Sequence, residues 1–133
     1  MPDDNVALYH QMIEALNRRD LDAFLALSHP ECEIRPRSAA LEGGAPYHGH
    51  DGLRSWWENL LSVFPDFTSE IDEVSDLGDV TVARIRLLGR GFESDAPMEQ
   101  RTWAVVKWRG GKATWWATFG SEREALEVVG TLE

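Results

Sequence analysis

The second half of the chain strings together segments of strand character. FTSEIDEV and DVTVARIRLL are joined by the turn-rich SDLGD, and MEQRTWAVVKW and KATWWATF by RGG, a hairpin signal. The first half instead carries helical stripes. Helices first and strands paired by hairpins afterwards imply an α+β domain with an antiparallel sheet. A small sheet with helices on one side can curl around them and leave a pocket.

The helical stripes are specific. In NVALYHQMIEALNR, Val6, Tyr9, Ile13 and Leu16 share one face, with Asp3 or Asp4 available as N-cap. Asp20 can cap a shorter helix carrying Leu21, Phe24, Leu25 and Leu27, which ends before Pro30. ECEIRPR reads as a short strand stopped by Pro36, and SAALEGGAP as a loop. A third helix from about His50 to Val63 shows Leu53, Trp56, Trp57, Leu60 and Phe64 on one side. SEREALEVVG opens with a Ser121/Glu124 capping box, faces Ala125, Leu126 and Val129 inward, and stops at Gly130.

The 133 residues suit a single domain, 1–133, with no linker, repeat or low-complexity tract. Lys plus Arg number 13 against 23 Asp plus Glu, a formal charge of −10. That balance argues against a nucleic-acid or anionic-membrane partner, since both need a basic surface. No stretch approaches the ~20 apolar residues of a membrane span. The start MPDDNVALYH has no basic region followed by an apolar run, so no signal peptide is expected. The lone Cys32 excludes an intrachain disulfide and fits the cytoplasm; with no activating base nearby it reads as a structural thiol.

The stretch PYHGHDGL places His48 and His50 two residues apart. A metal site needs three or four converging ligands, and His10 and His29 have no spacing that supplies them, so no metal is expected. His50 or Asp51 stands where the third helix needs its N-cap, and Gly49 allows a tight entry. Tyr47 and His48 are left as rim groups of a pocket. No nucleotide, phosphate-loop or nucleophile-elbow motif is present, and no cofactor is expected.

YHGHDGLRSWWENLLSVFPDF, with YHQMIEALNRRDLDAFLALSHPECEIRP before it and VVKWRGGK and SEREALEVVG after it, resembles the SnoaL-like branch of the nuclear transport factor 2-like superfamily. The resemblance spans nearly the whole chain in order. It implies a cone-shaped half-barrel, a curved antiparallel sheet wrapped around the N-terminal helices over a deep pocket. It also implies frequent dimerisation through the outer sheet face. Members include polyketide cyclases, ketosteroid isomerases, hydrolases, dehydratases and non-enzymes, so fold does not give function. Ketosteroid isomerases work with an Asp base and an oxyanion hole of Tyr and protonated Asp. Alignment puts these three positions at Arg35, Met12 and Ala104, so that mechanism is lost here.

The same alignment sets strand parity, because successive residues face opposite sides. Thr102, Ala104, Val106, Trp108, Trp116 and Thr118 are expected inside, with Val82, Arg84, Arg86 and Leu88 on the preceding strand and Glu33 and Arg35 on the first. Trp57 is expected on the pocket floor beside Met12 and Leu16. The outward set then includes Ile85, Leu87, Trp103, Val105 and Trp115, an apolar face that predicts a homodimer.

Two functions of different class follow. One is a cofactor-independent isomerase, cyclase, lyase or hydrolase acting on an apolar carbonyl- or carboxylate-bearing molecule. Glu33 would be its base or water-orienting group, and Arg35, Arg84 and Arg86 would stabilise an oxyanion. The other is a dimeric small-molecule-binding module walled by Trp57, Trp108 and Trp116, which accounts better for the missing catalytic constellation. A protein-interaction domain is a third reading, permitted by the acidic charge.

Overall fold

The computed structural model describes residues 4–36, 47–90 and 97–132. The expected SAALEGGAP loop lies outside the described residues. Helix α1 (Asn5–Arg18) and helix α2 (Leu21–Ala26) come first, then strands β1 (Ser28–Arg35) and β2 (Tyr47–His48) and helix α3 (Gly49–Val63). Strands β3 (Thr68–Asp76), β4 (Val80–Arg90), β5 (Pro97–Arg109) and β6 (Lys112–Phe119) follow, and helix α4 (Glu122–Leu132) ends the order.

The helix starts have chemical causes. The Asp4 carboxylate accepts from Ala7 N–H and the Asp20 carboxylate from Ala23 N–H, both at 3.1 Å, satisfying amides that the first turn leaves unpaired. Ser121 Oγ accepts from Glu124 N–H at 3.2 Å at the head of α4. Two expectations are corrected. The N-cap of α3 is His48, with no side-chain cap bond; His50 sits in the first turn, its Nε2 2.9 Å from the Ser28 carbonyl oxygen. Helix α4 runs through Gly130 to Leu132, because packing of Ala125 and Val129 outweighs one glycine's modest helix cost.

The six strands form one curved, unclosed sheet in the order β2-β1-β6-β5-β4-β3. All neighbours are antiparallel except β1 and β6, which run parallel. Gly110 and Gly111 both adopt positive φ in the two-residue β5–β6 turn, the conformation a tight hairpin requires and side chains resist.

On the concave side the sheet packs against α1, α2 and α3. Phe24, Ile34, Leu53 and Val106 are fully buried there, each contributing roughly 1.5–3 kcal/mol. The convex side has a smaller core of its own: Val80, Val82 and Val105 lie beneath Ala125 and Val129 of α4, with Trp103, Trp115, Phe119 and Leu132 packed around them. No helix among the described residues is long and apolar enough to cross a membrane.

Candidate functional site

A cavity of about 240 Å³ lies between the helices and the concave face. Helix α1 contributes Tyr9, Met12, Ile13 and Leu16, α2 contributes Phe24, and α3 contributes Trp56 and Leu60. Across the sheet it meets Ser69 of β3, Ile85 and Leu87 of β4, Gln100 to Val106 at alternate positions of β5, and Trp116 and Thr118 of β6. Phe67 and Pro36 complete it. None of these residues is Asp, Glu, Lys, Arg or His. The one titratable group is the Tyr9 phenol, which burial raises above its ordinary value. The aromatic wall is ordered: Trp56 stacks on Phe24 with centroids 5.8 Å apart and meets Trp116 edge-on at 5.1 Å.

Of the pocket residues expected from sequence, Met12, Leu16, Thr102, Ala104, Val106, Trp116 and Thr118 line this cavity. The others do not. Trp57 is buried against Phe24, edge to face at 5.4 Å, and its neighbour Trp56 faces the cavity instead, one residue being about 100° of helix rotation. Trp108 belongs to the concave core but lies past a register shift, and its indole donates to Thr81 Oγ1 at 2.9 Å. The Tyr47 hydroxyl accepts from Asn59 Nδ2 at 3.3 Å, and His48 is exposed.

The larger correction concerns the charged groups. Val82, Arg84, Arg86, Glu33 and Arg35 all stand on the convex face. Ladder register decides this: Ile85 is opposite Thr102 and Ala83 opposite Ala104, so these β4 residues share the concave face and their neighbours cannot. On β1, Ile34 pairs with Trp116 and is wholly buried, turning Glu33 and Arg35 outward. There Glu33 Oε2 accepts from Arg35 Nε at 2.9 Å and Trp115 Nε1 at 3.1 Å. Arg86 sits among Glu70, Asp72 and Glu99, at 2.7, 3.0 and 3.5 Å. Arg84 reaches Glu73 at 3.7 Å and, with Val82 and Trp103, lines a separate groove of about 150 Å³ beside α4. The four charged side chains proposed for catalysis are thus separated from the cavity by the sheet.

The dimer face is corrected in the same way. Ile85 and Leu87 line the cavity, Val105 is covered by α4, and Trp103 and Trp115 remain outward and partly buried.

Sequence reasoning missed Tyr9, Ile13, Phe24, Trp56, Leu60, Ser69, Ile85 and Leu87. A signal was present over Cys32–Arg35 of β1 and Ala83–Leu87 of β4: charged side chains alternate there with apolar ones, and the apolar set faces the helices. Cys32, fully buried, has its thiol pushed up to about 12 by burial and then by the Glu33 charge, which makes it an inert packing group. Among the described residues no three metal-ligating side chains converge.

The fold has many solved counterparts. An NTF2-like protein of unknown function from Burkholderia pseudomallei aligns over 96% of this chain and 98% of its own, with a TM-score of 0.79 and 19% identity. IdmH, a proposed polyketide cyclase from Streptomyces antibioticus, aligns over 96% and 99%, with a TM-score of 0.76 and 20% identity. TerC, co-crystallised with polyporic acid, aligns over 96% and 99%, with a TM-score of 0.79 and 18% identity. At these identities the likeness is one of fold. No curated protein sequence matches the chain. The profile of the SnoaL-like domain matches residues 9–116, most of the chain, and with the curved sheet over its helix-capped cavity it places the protein in the SnoaL-like domain family.

Proposed function

We propose that the protein binds a small, neutral, largely apolar molecule in the cavity between α1, α2, α3 and the concave sheet. One observation carries this reading: a cavity of about 240 Å³ whose lining, among the described residues, holds no charged side chain. Burying an ionised ligand group there would cost several kcal/mol with nothing opposite to offset it. A space of ~150 Å³ holds benzene, so one to two rings is the scale. The fold neighbours lend support, since one is a proposed polyketide cyclase and another was crystallised with polyporic acid.

The test is calorimetric titration with 1-tetralone, a neutral bicyclic ketone, and with 1-naphthoate, a similar bicycle bearing a charge. Saturable one-site binding of tetralone, and none of naphthoate, is expected. Ala104→Leu, which fills the cavity from β5, should abolish it while leaving the circular dichroism unchanged. Absence of saturable binding, or binding indifferent to Ala104→Leu, would overturn the reading.

A catalytic reading rests on Tyr9, the one titratable lining group among the described residues, as a hydrogen-bond donor to a developing oxyanion. Loss of turnover in Tyr9→Phe with binding retained would support it. A homodimer is retained as a proposal through Trp103 and Trp115, which α4 leaves partly covered; a monomer mass at micromolar concentration refutes it.

A further inference from the structure

The tip of the β5–β6 hairpin is the exception in an acidic chain. KWRGGK, residues 107–112, holds both lysines of the protein together with Arg109, and no Asp or Glu occurs between Arg101 and Phe119. Elsewhere arginines are matched to acceptors. Arg18, Arg35, Arg54, Arg84, Arg86 and Arg123 meet carboxylates at 2.7 to 3.7 Å. Arg19 donates to the carbonyls of Leu16, Pro65 and Phe67. Among the described residues, Lys107, Arg109 and Lys112 have no such partner.

Strand register brings these three cations together. Lys107 and Arg109 are two residues apart on β5, so they share a face about 7 Å apart. Lys112 of β6 stands directly opposite Arg109. Like charges in that position repel, and none of the chain's 23 carboxylates is spent on relieving the pair. Arg109 and Lys112 are exposed and Lys107 is half-buried. A Cβ placed on Gly110 would meet nothing within 4 Å, so the turn projects into open space.

The tip borders a groove of about 730 Å³ that shares no lining residue with the cavity under the helices. The hairpin contributes Lys107, Arg109 and Thr114 to it, and the start of α1 and the β3–β4 turn contribute Asn5, Asp76 and Asp79. The two turns are tied by the Trp108 N–H, which donates to the Asp79 carbonyl at 2.7 Å. The Asp76 carboxylate accepts from Gly78 N–H at 3.0 Å. Neither aspartate forms an ion pair with the hairpin.

This distribution of charge selects a partner. A compact dianion seated in the groove meets Asp76 and Asp79 as well as the cations. A nucleic-acid backbone, charged at every step, meets the acidic surface on all sides of the tip. Carboxylates on alternate residues of an extended chain recur every ~7 Å, which is the spacing of Lys107 and Arg109. We propose that the hairpin tip is a docking surface for an extended acidic segment of a partner protein, whose alternate Asp or Glu side chains pair with Lys107, Arg109 and Lys112.

The experiment measures fluorescence anisotropy of a labelled, alternating Glu-Ser peptide on the full chain, with the Gln-Ser peptide as neutral control. At about 20 mM salt the Glu peptide should bind saturably and about tenfold tighter than its control, and lose about tenfold in affinity at about 200 mM salt. Joint replacement Lys107→Gln, Arg109→Gln and Lys112→Gln should weaken it about tenfold with the circular dichroism unchanged. Where that variant loses its fold, Lys112→Gln alone decides, with an expected loss of about threefold. Arg101→Gln, an exposed cation of β5 away from the tip, should leave the affinity unchanged. No saturable binding at low salt, or equal binding of the Gln peptide, overturns the proposal. An equal loss in Arg101→Gln and in the tip variants overturns it too, as the attraction would then have no address. Tighter binding of an oligothymidylate or of inorganic phosphate than of the Glu peptide overturns it in favour of a phosphate site.

Discussion

The two faces of one sheet have been put to opposite uses. The concave face meets three helices and still encloses a cavity of about 240 Å³, its walls uncharged among the described residues and carrying unpaired hydroxyl and indole groups. The convex face is divided. One part is sealed by α4 over Val80, Val82 and Val105, and the rest carries ion pairs in which Arg86 alone meets three carboxylates. Alternation along β5 puts these environments one residue apart: Ala104 borders open volume, Val105 a filled core. Ser69, Thr102 and Trp116 on the concave side each keep an unpartnered polar atom although Trp108 and Thr81 pair there, while the convex Glu33, Arg35 and Trp115 satisfy one another and Arg84 Nε stays unpaired.

Ala104 and Val105 give the strongest test of that contrast. Val105→Asp should cost on the order of 4 kcal/mol in urea unfolding, since a carboxyl under α4 finds neither partner nor water. Ala104→Asp should cost roughly half as much, because the cavity admits a water and lets the carboxyl stay protonated. Equal costs would mean the two faces are filled alike. Next in size is Thr102→Val, which exchanges an unpaired buried hydroxyl for a methyl of the same shape. The unliganded protein should gain about 1 kcal/mol; a loss in thermal or urea unfolding would show that the hydroxyl has a partner inside the protein. The smallest effect is expected for Arg86→Leu. On the convex face it should leave tetralone affinity within about twofold, as exposed ion pairs contribute little. Abolished binding would return Arg86 to the cavity and undo the assignment of faces.

Legibility from sequence was uneven for physical reasons. Helices were readable because their caps are local: Asp4 and Asp20 bond amides three residues on. The β5–β6 turn was readable because Gly-Gly suits positive φ. Parity on β5 was readable from the family pattern, though its two faces are both apolar. On β1 and β4 the family pattern pointed the charged set inward, against the plain amphipathic rule that the structure follows. Trp56 and Trp57 could not be separated by a stripe that contains both.

What the sequence determined by itself is the α+β order, the N-caps of α1, α2 and the last helix, and the hairpin, set by local chemistry and periodicity; the curved-sheet family came from resemblance along the whole chain. What the tertiary structure decided is which side of each strand encloses the cavity, and that the described residues walling it are uncharged. A strand's two faces are equivalent until a neighbour fixes the register. Ile85 became a cavity residue by lying opposite Thr102, and Val105 a core residue by lying under a helix some twenty positions further along the chain.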